Sequence, residues 1–123
     1  MPTQSKLEKD LYQQFYLLHK AEGFPLPEME YKFYPKRKWR ADFAWPYDGL
    51  LCEVEGGVWT KGRHITGKGF TDDCEKYNTA SIIGYRLIRV VNEHIYSGQA
   101  LKWIIEALDH QPPDKIQNTY VQV

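Results

Sequence analysis

Residues 40–57, RADFAWPYDGLLCEVEGG, constrain the fold more than any other stretch of the chain. Apolar and polar residues alternate on both sides of residues 46–49, which is the pattern of two half-buried strands. Pro46 favours the first corner of a type I turn, and Gly49 can adopt a positive φ angle. The stretch therefore predicts a β-hairpin with a four-residue loop.

The loop length determines which residues of the two strands lie opposite each other. With four loop residues, Trp45 pairs with Leu50, and the same register places Asp42 opposite Glu53. A three-residue loop would mix carboxylates with apolar side chains, so the hydrophobic pattern favours the longer loop. One face of this hairpin is then expected to be apolar, and it comprises Trp39, Ala41, Phe43, Trp45, Cys52 and Val54.

Two carboxylates that face each other on neighbouring strands repel, at a cost of about 0.2–1 kcal/mol. A Mg²⁺ ion would offset the repulsion between Asp42 and Glu53, since one or two carboxylates commonly hold this ion. Alternatively, the acids lie on the solvated face of an antiparallel sheet, where Arg40 lies opposite Glu55 and neutralises it. The spacing alone does not decide between a metal site and a solvated face.

The rest of the chain predicts an α/β (α+β) fold in which helices flank a mixed sheet, in the order αβββαβα. Ser5 and Glu8 have the spacing of a capping box, so the first helix is expected over residues 5–21. The strands are expected over residues 29–34, 39–45, 50–55 and 85–91. The second helix is expected to begin at Thr71 or Asp72 and end before Gly84, and Ser97 to cap the third. The length favours one domain over residues 1–110, with a tail over 111–123.

Basic and acidic residues balance, with 16 of each, so no global field attracts the protein to nucleic acid or to an anionic membrane. Two stretches, residues 31–41 and 56–71, are nevertheless basic without an acid. They could hold phosphate groups beside the acidic pair, or they are simply solvated loops. The residues that would contact nucleic acid are Lys36, Arg37, Lys38, Arg40, Arg63 and Lys68.

The chain shows neither a signal peptide nor an apolar run of about 18 residues, which is the length that spans a bilayer. We therefore expect a cytoplasmic protein that does not contact membranes.

Six short segments, taken in order, resemble the core of the PD-(D/E)xK nuclease superfamily. They are RKWRADFAW (37–45), EVEGG (53–57), GRH (62–64), GKGF (67–70), DCEKYN (73–78) and GYRLIR (84–89). Within the superfamily the segments are similar to those of small phage and prophage endonuclease-like proteins, which are related to very-short-patch repair nucleases. The resemblance spans about residues 8–91 and implies a restriction-endonuclease-like core.

The resemblance implies a metal-dependent DNA endonuclease that uses Mg²⁺, for which Mn²⁺ can substitute. Asp42 and Glu53 would bind the metal together with the main-chain carbonyl of Val54. Glu8, on the first helix, would approach the same site. The small size of the chain favours structure-specific cleavage or nicking over sequence-specific restriction. A homodimer would allow two such sites to cut both DNA strands.

The chain departs from the superfamily at the last motif position, where Glu55 replaces the usual lysine. Glu55 could accept a proton from water or act as a third metal ligand. Lys76, on the following helix, could take the place of the missing lysine, or it could pair with Asp72 on the helix surface. His64 is a candidate acid or base, or a solvated loop residue. Tyr77 is interpreted as a packing residue.

Two other classes of function fit the same sequence. If Glu55 marks a broken active site, the chain is a catalytically inactive nucleic-acid-binding module on the same fold. If the acidic face is merely solvated, it is an interaction domain that binds neither metal nor DNA.

Overall fold

The computed structural model describes residues 5–56 and 67–110. The described residues form an α+β fold, in which a four-stranded mixed sheet is flanked by helices. The helices are α1 (Lys6–Glu22), α2 (Gly67–Ile82), α3 (Asn92–Ser97) and α4 (Gln99–Asp109). The strands are β1 (Glu28–Tyr31), β2 (Ala41–Trp45), β3 (Leu50–Val54) and β4 (Arg86–Val90). None of the helices in these two ranges has the length and apolar character needed to cross a membrane.

The strands lie in the order β1, β2, β3, β4 across the sheet. The first three run antiparallel to their neighbours, whereas β4 runs parallel to β3. A parallel neighbour requires a crossover connection, which is why α2 lies between β3 and β4 in the chain. This arrangement brings the side chains of α2 over one face of the predicted hairpin.

The predicted hairpin register is confirmed. Trp45 pairs with Leu50, and Phe43 pairs with Cys52. Residues 46–49 form the loop, which contains a short 3₁₀ helix, Pro46–Asp48, and ends at Gly49 with a φ angle of 62°. Because side chains alternate along a strand, this register orients the side chains of the opposed acidic residues to the same side of the sheet.

The sheet is buried on both faces. One face packs against α1, α3 and α4, and its fully buried side chains include Phe15, Phe43 and Ile104. The other face forms a smaller cluster that contains Leu51 together with Ala80 of α2. The hairpin therefore has no purely solvated face, and polar groups between β2 and α2 are partly removed from water.

The expectation that Trp39 and Ala41 share a face with Phe43 is wrong. Both residues pack in the smaller cluster, beside Phe33. For Trp39 the physical reason is that β2 begins only at Ala41, so the strict alternation of a strand does not extend back to residue 39. Ala41 pairs with Tyr31, which packs against the same smaller cluster.

Two helix boundaries also differ from the expected ones. α2 begins at Gly67, several residues before Thr71, and the two glycines of its first turn weaken the helical signal. Ser97 is the last residue of the short helix α3, which the expected element order lacks. Gly98, with a φ angle of 87°, separates α3 from α4. The Ser97 hydroxyl nevertheless accepts a hydrogen bond from the Gln99 amide, at 3.3 Å.

The first helix begins and ends as expected. The Ser5 hydroxyl accepts a hydrogen bond from the Glu8 amide at 3.1 Å, and Gly23 ends the helix with a φ angle of 76°. This capping fixes the position of Glu8 in the first turn of α1, at the end of the helix that approaches the sheet's acidic residues. The expected tail, residues 111–123, lies outside the described residues.

The hairpin loop gives a direct test of the fold. Gly49→Ala should lower the free energy of unfolding by about 1 kcal/mol, because a Cβ atom is strained at positive φ. Gly69→Ala is the matched control, since Gly69 lies in α2 with open space around the new Cβ atom. It should leave stability unchanged or raise it by up to about 1 kcal/mol. Urea unfolding measures both variants, and equal effects would contradict the loop geometry.

Candidate active site

The carboxylates of Asp42 and Glu53 each accept a hydrogen bond from a main-chain amide of the opposite central strand. Glu53 Oε2 accepts a hydrogen bond from the Asp42 amide at 3.0 Å, and Asp42 Oδ2 accepts one from the Val54 amide at 2.8 Å. These bonds form at the edge of the pairing, where β2 begins and β3 ends. Each carboxylate therefore satisfies an amide of the opposite strand, and the two acids are held close together.

Helix α2 supplies two donors to the same acid. Lys76 Nζ lies 3.0 Å from Glu53 Oε1, with 17% of the lysine side chain exposed and 9% of the glutamate. The Tyr77 hydroxyl donates a hydrogen bond to the same oxygen at 3.3 Å. The alternative pairing of Lys76 with Asp72 does not occur, because Asp72 pairs with Lys68 at 3.4 Å.

Glu55 shares the Tyr77 hydroxyl with Glu53 and has Arg89 as its second donor. Its Oε2 atom accepts hydrogen bonds from the Tyr77 hydroxyl at 3.1 Å and from Arg89 Nε at 2.9 Å. The Arg89 guanidinium also stacks on the Tyr77 ring, 4.4 Å from its centroid. Arg89, and not Arg40, is therefore the cation that neutralises Glu55.

A second acidic group lies on the other side of Asp42. The β1–β2 register places Glu30 between the pairs Met29–Phe43 and Tyr31–Ala41, and thus opposite Asp42. Carboxylate oxygens of Glu8, Glu30 and Asp42 lie within 4.8 Å of one another, so the three residues could hold a metal ion. Glu30 has a φ angle of 52°, a strained backbone conformation for a residue other than glycine.

The electrostatics of this region disfavour ionised carboxyl groups. Burial, followed by the nearby charge of Glu53, raises the pKa of Asp42 to about 7. Burial also raises the pKa of Glu53, although Lys76 opposes the shift. Burial and the charge of Glu30 raise the pKa of Glu8. A cation bound among these acids would stabilise their ionised forms.

Five of the six basic residues proposed to contact nucleic acid lie in the described part of the chain, and all five are on the surface. Arg37 stacks over the Trp39 ring at 4.0 Å from its centroid and pairs with Glu75 at 3.4 Å. Because Glu75 precedes Lys76 on α2, this ion pair ties the basic segment to the helix that reaches the acids. The other exposed basic residues among those predicted are Lys36, Lys38, Arg40 and Lys68. Arg63 and His64 lie outside the described residues.

The structure brings together several of the residues that the sequence singles out. Asp42, Glu53 and Lys76 lie in one contact network, and Tyr77 links it to Glu55. Glu8 joins Asp42 through the other acidic group. The contact shown for Val54 is through its amide, which donates to Asp42.

Sequence reasoning missed three residues of the site: Glu30, Tyr77 and Arg89. The sequence favours a packing role for Tyr77, and its patterns assign neither Glu30 nor Arg89 to the site. Alternation along β4 places Arg89 on the same side of the sheet as Leu87, which faces α2, and this pattern could have indicated Arg89. The position of Tyr77 next to Lys76 in the sequence could have indicated Tyr77. Glu30 carries no such signal, because its approach to Asp42 depends on the pairing of β1 with β2.

No protein-family model, curated protein or solved structure matches the chain.

The raised pKa of Asp42 predicts a pH-dependent stability. Between its reference value of 3.8 and about 7, the native state holds a proton that the unfolded chain releases. The free energy of unfolding should therefore fall as pH rises through this window, by up to about 1.4 kcal/mol per pH unit. Asp42→Asn should reduce the dependence of the free energy of unfolding on pH, because asparagine does not bind or release a proton in this range. Its side-chain oxygen can still accept the hydrogen bond from the Val54 amide.

Urea unfolding between pH 4.5 and 7.5, in the presence of a chelator, measures this slope. Asp109→Asn serves as the control because Asp109 is exposed at the end of α4, and it should keep the wild-type slope. Identical slopes for wild type and Asp42→Asn would contradict the buried, protonated state of Asp42.

Proposed function

We propose that this chain is a Mg²⁺-dependent DNA endonuclease with a restriction-endonuclease-like core of the PD-(D/E)xK superfamily. The observation that carries the proposal is the position of Lys76, whose ammonium group reaches from α2 to within 3.0 Å of Glu53. A lysine beside two opposed strand carboxylates is what the resemblance implies for an active site in which Glu55 occupies the usual lysine position.

The donor set near Asp42 fits a hard divalent cation. Glu8, Glu30 and Asp42 offer only carboxylate oxygens, the ligand type that Mg²⁺ prefers. These residues would hold the ion, with Glu53 on the opposite side of Asp42 as the further ligand that the resemblance implies. When bound, Mg²⁺ would neutralise charge on a phosphate oxygen and make a nearby water more acidic.

The chain's own residues would position the substrate and offset its charge. In phosphodiester hydrolysis a water molecule gives up a proton to the solvent as its oxygen bonds to phosphorus, the bond between phosphorus and the leaving sugar oxygen breaks, and the leaving oxygen takes up a proton from the solvent. The Lys76 ammonium would stabilise the negative charge that develops on the phosphate. Glu53 would fix the position of Lys76 through the ion pair at 3.0 Å.

Local charge supports DNA as the substrate despite the zero net charge of the chain. Residues 36–40 contain four basic side chains that lie on the surface, and Arg37 ties them to α2 beside Lys76. Such side chains contact phosphate groups irrespective of sequence. Because these contacts do not depend on sequence, we propose structure-specific cleavage or nicking. The resemblance further suggests that the protein acts in the cytoplasm of a bacterial or phage-infected cell. A homodimer would be required where both DNA strands are cut.

Lys76→Met tests the proposed activity. It should reduce Mg²⁺-dependent cleavage by about 100-fold or more, because a charge-stabilising group is lost. Asp42→Asn should do the same through loss of a metal-facing carboxylate. Lys102→Met is the matched control, since Lys102 is an exposed lysine on α4, and it should cleave like wild type. Cleavage of nicked, branched, mismatched and plain duplex DNA measures the rates.

Circular dichroism of each variant shows whether the fold persists. Full activity of a folded Lys76→Met variant would contradict the proposal. DNA binding by the wild type without metal affinity or cleavage would instead support the catalytically inactive binding module.

A further inference from the structure

The Tyr77 hydroxyl bridges two acids that would otherwise repel each other. It lies 3.3 Å from Glu53 Oε1 and 3.1 Å from Glu55 Oε2. A tyrosine hydroxyl ordinarily keeps its proton near neutral pH, so the Tyr77 hydroxyl acts as a donor in both contacts. A hydroxyl carries one proton, which both carboxylates share.

Tyr77, Glu55 and Arg89 contact one another in a closed triangle. Arg89 Nε donates to Glu55 Oε2 at 2.9 Å, and the Arg89 guanidinium stacks on the ring of Tyr77. The third side is the hydrogen bond from Tyr77 to Glu55. Because α2, β4 and the residue directly after β3 each contribute one side chain, the triangle fixes Tyr77 relative to the sheet.

We infer that Tyr77 is a positioning residue for Glu53, and that Glu55 holds Tyr77 in place instead of activating water. The inference rests on the proposed function, in which Glu53 fixes Lys76. Glu55 is neutralised by Arg89, and both of its donors converge on one carboxylate oxygen, Oε2. Lys76 thus remains the candidate for the role of the superfamily's lysine.

Two substitutions of Glu55 can distinguish a positioning role from a role in proton transfer. Both donors converge on the same oxygen, Oε2, so a glutamine with its carbonyl oxygen at that position keeps both hydrogen bonds. Glutamine cannot accept a proton from water near neutral pH. Glu55→Gln therefore removes a general base but preserves the triangle, whereas Glu55→Ala removes both.

The test compares cleavage by wild type, Glu55→Gln, Glu55→Ala and Tyr77→Phe. We expect Glu55→Gln to retain kcat within about threefold of wild type, while Glu55→Ala and Tyr77→Phe lose about tenfold or more with little change in KM. A loss of about 100-fold or more in Glu55→Gln would show that Glu55 acts as a base or ligand, and would overturn the inference. Wild-type kcat in Glu55→Ala would also overturn it.

A thermodynamic cycle tests the triangle without reference to activity. Urea unfolding of Tyr77→Phe, Glu55→Ala and the double variant should give non-additive effects, because the two residues contact each other. Tyr77→Phe combined with Glu93→Ala, a change at an exposed glutamate of α3, should give additive effects. Additive effects in the first cycle would overturn the inference even if the protein cleaves DNA. A wild type that does not cleave would refute the proposed function alone, and the cycle would still decide the triangle.

Discussion

The antiparallel register of β2 and β3 is the constraint on which the whole site depends. A loop of residues 46–49 pairs Trp45 with Leu50, and every more distant pair follows from it. A shift by one residue would turn the side chain of one acid to the opposite face and move Phe43 or Cys52 out of the core. The burial of these apolar side chains thus enforces the proximity of Asp42 and Glu53.

Because α2 packs over the sheet, the carboxylates of the site are partly removed from water, and this burial lowers the stability of the fold. Glu53 is 7% exposed, so its carboxylate requires compensation from Lys76, Tyr77 and a main-chain amide. Burial, followed by the charge of Glu53, raises the pKa of Asp42 to about 7, and the hydrogen bond from the Val54 amide opposes this shift only in part. Burial of the apolar clusters on both faces of the sheet stabilises the fold and offsets the free energy of burying these polar groups.

The sequence was informative where local patterns decide the structure. Alternation and turn residues predict the hairpin and its register, whereas Lys76 is a candidate only through the resemblance, which allows the lysine to lie on the helix after the hairpin. Local patterns do not indicate Glu30, because its position beside Asp42 depends on the pairing of β1 with β2 and on the left-handed backbone conformation of Glu30. The sequence does not reveal the role of Tyr77 either, because a tyrosine at this position of α2 could equally pack its ring against the sheet. The helix α3 was missed because a six-residue helix has too few turns to show a period.

Anomalous diffraction from crystals soaked in Mn²⁺ tests most directly whether this register creates a metal site. Mn²⁺ is suitable because it accepts the oxygen ligands that Mg²⁺ uses. We expect an anomalous peak within about 2.5 Å of carboxylate oxygens of Asp42 and at least one neighbouring acid. Strands paired as described here, with no peak near Asp42 at saturating Mn²⁺, would contradict a metal-dependent active site.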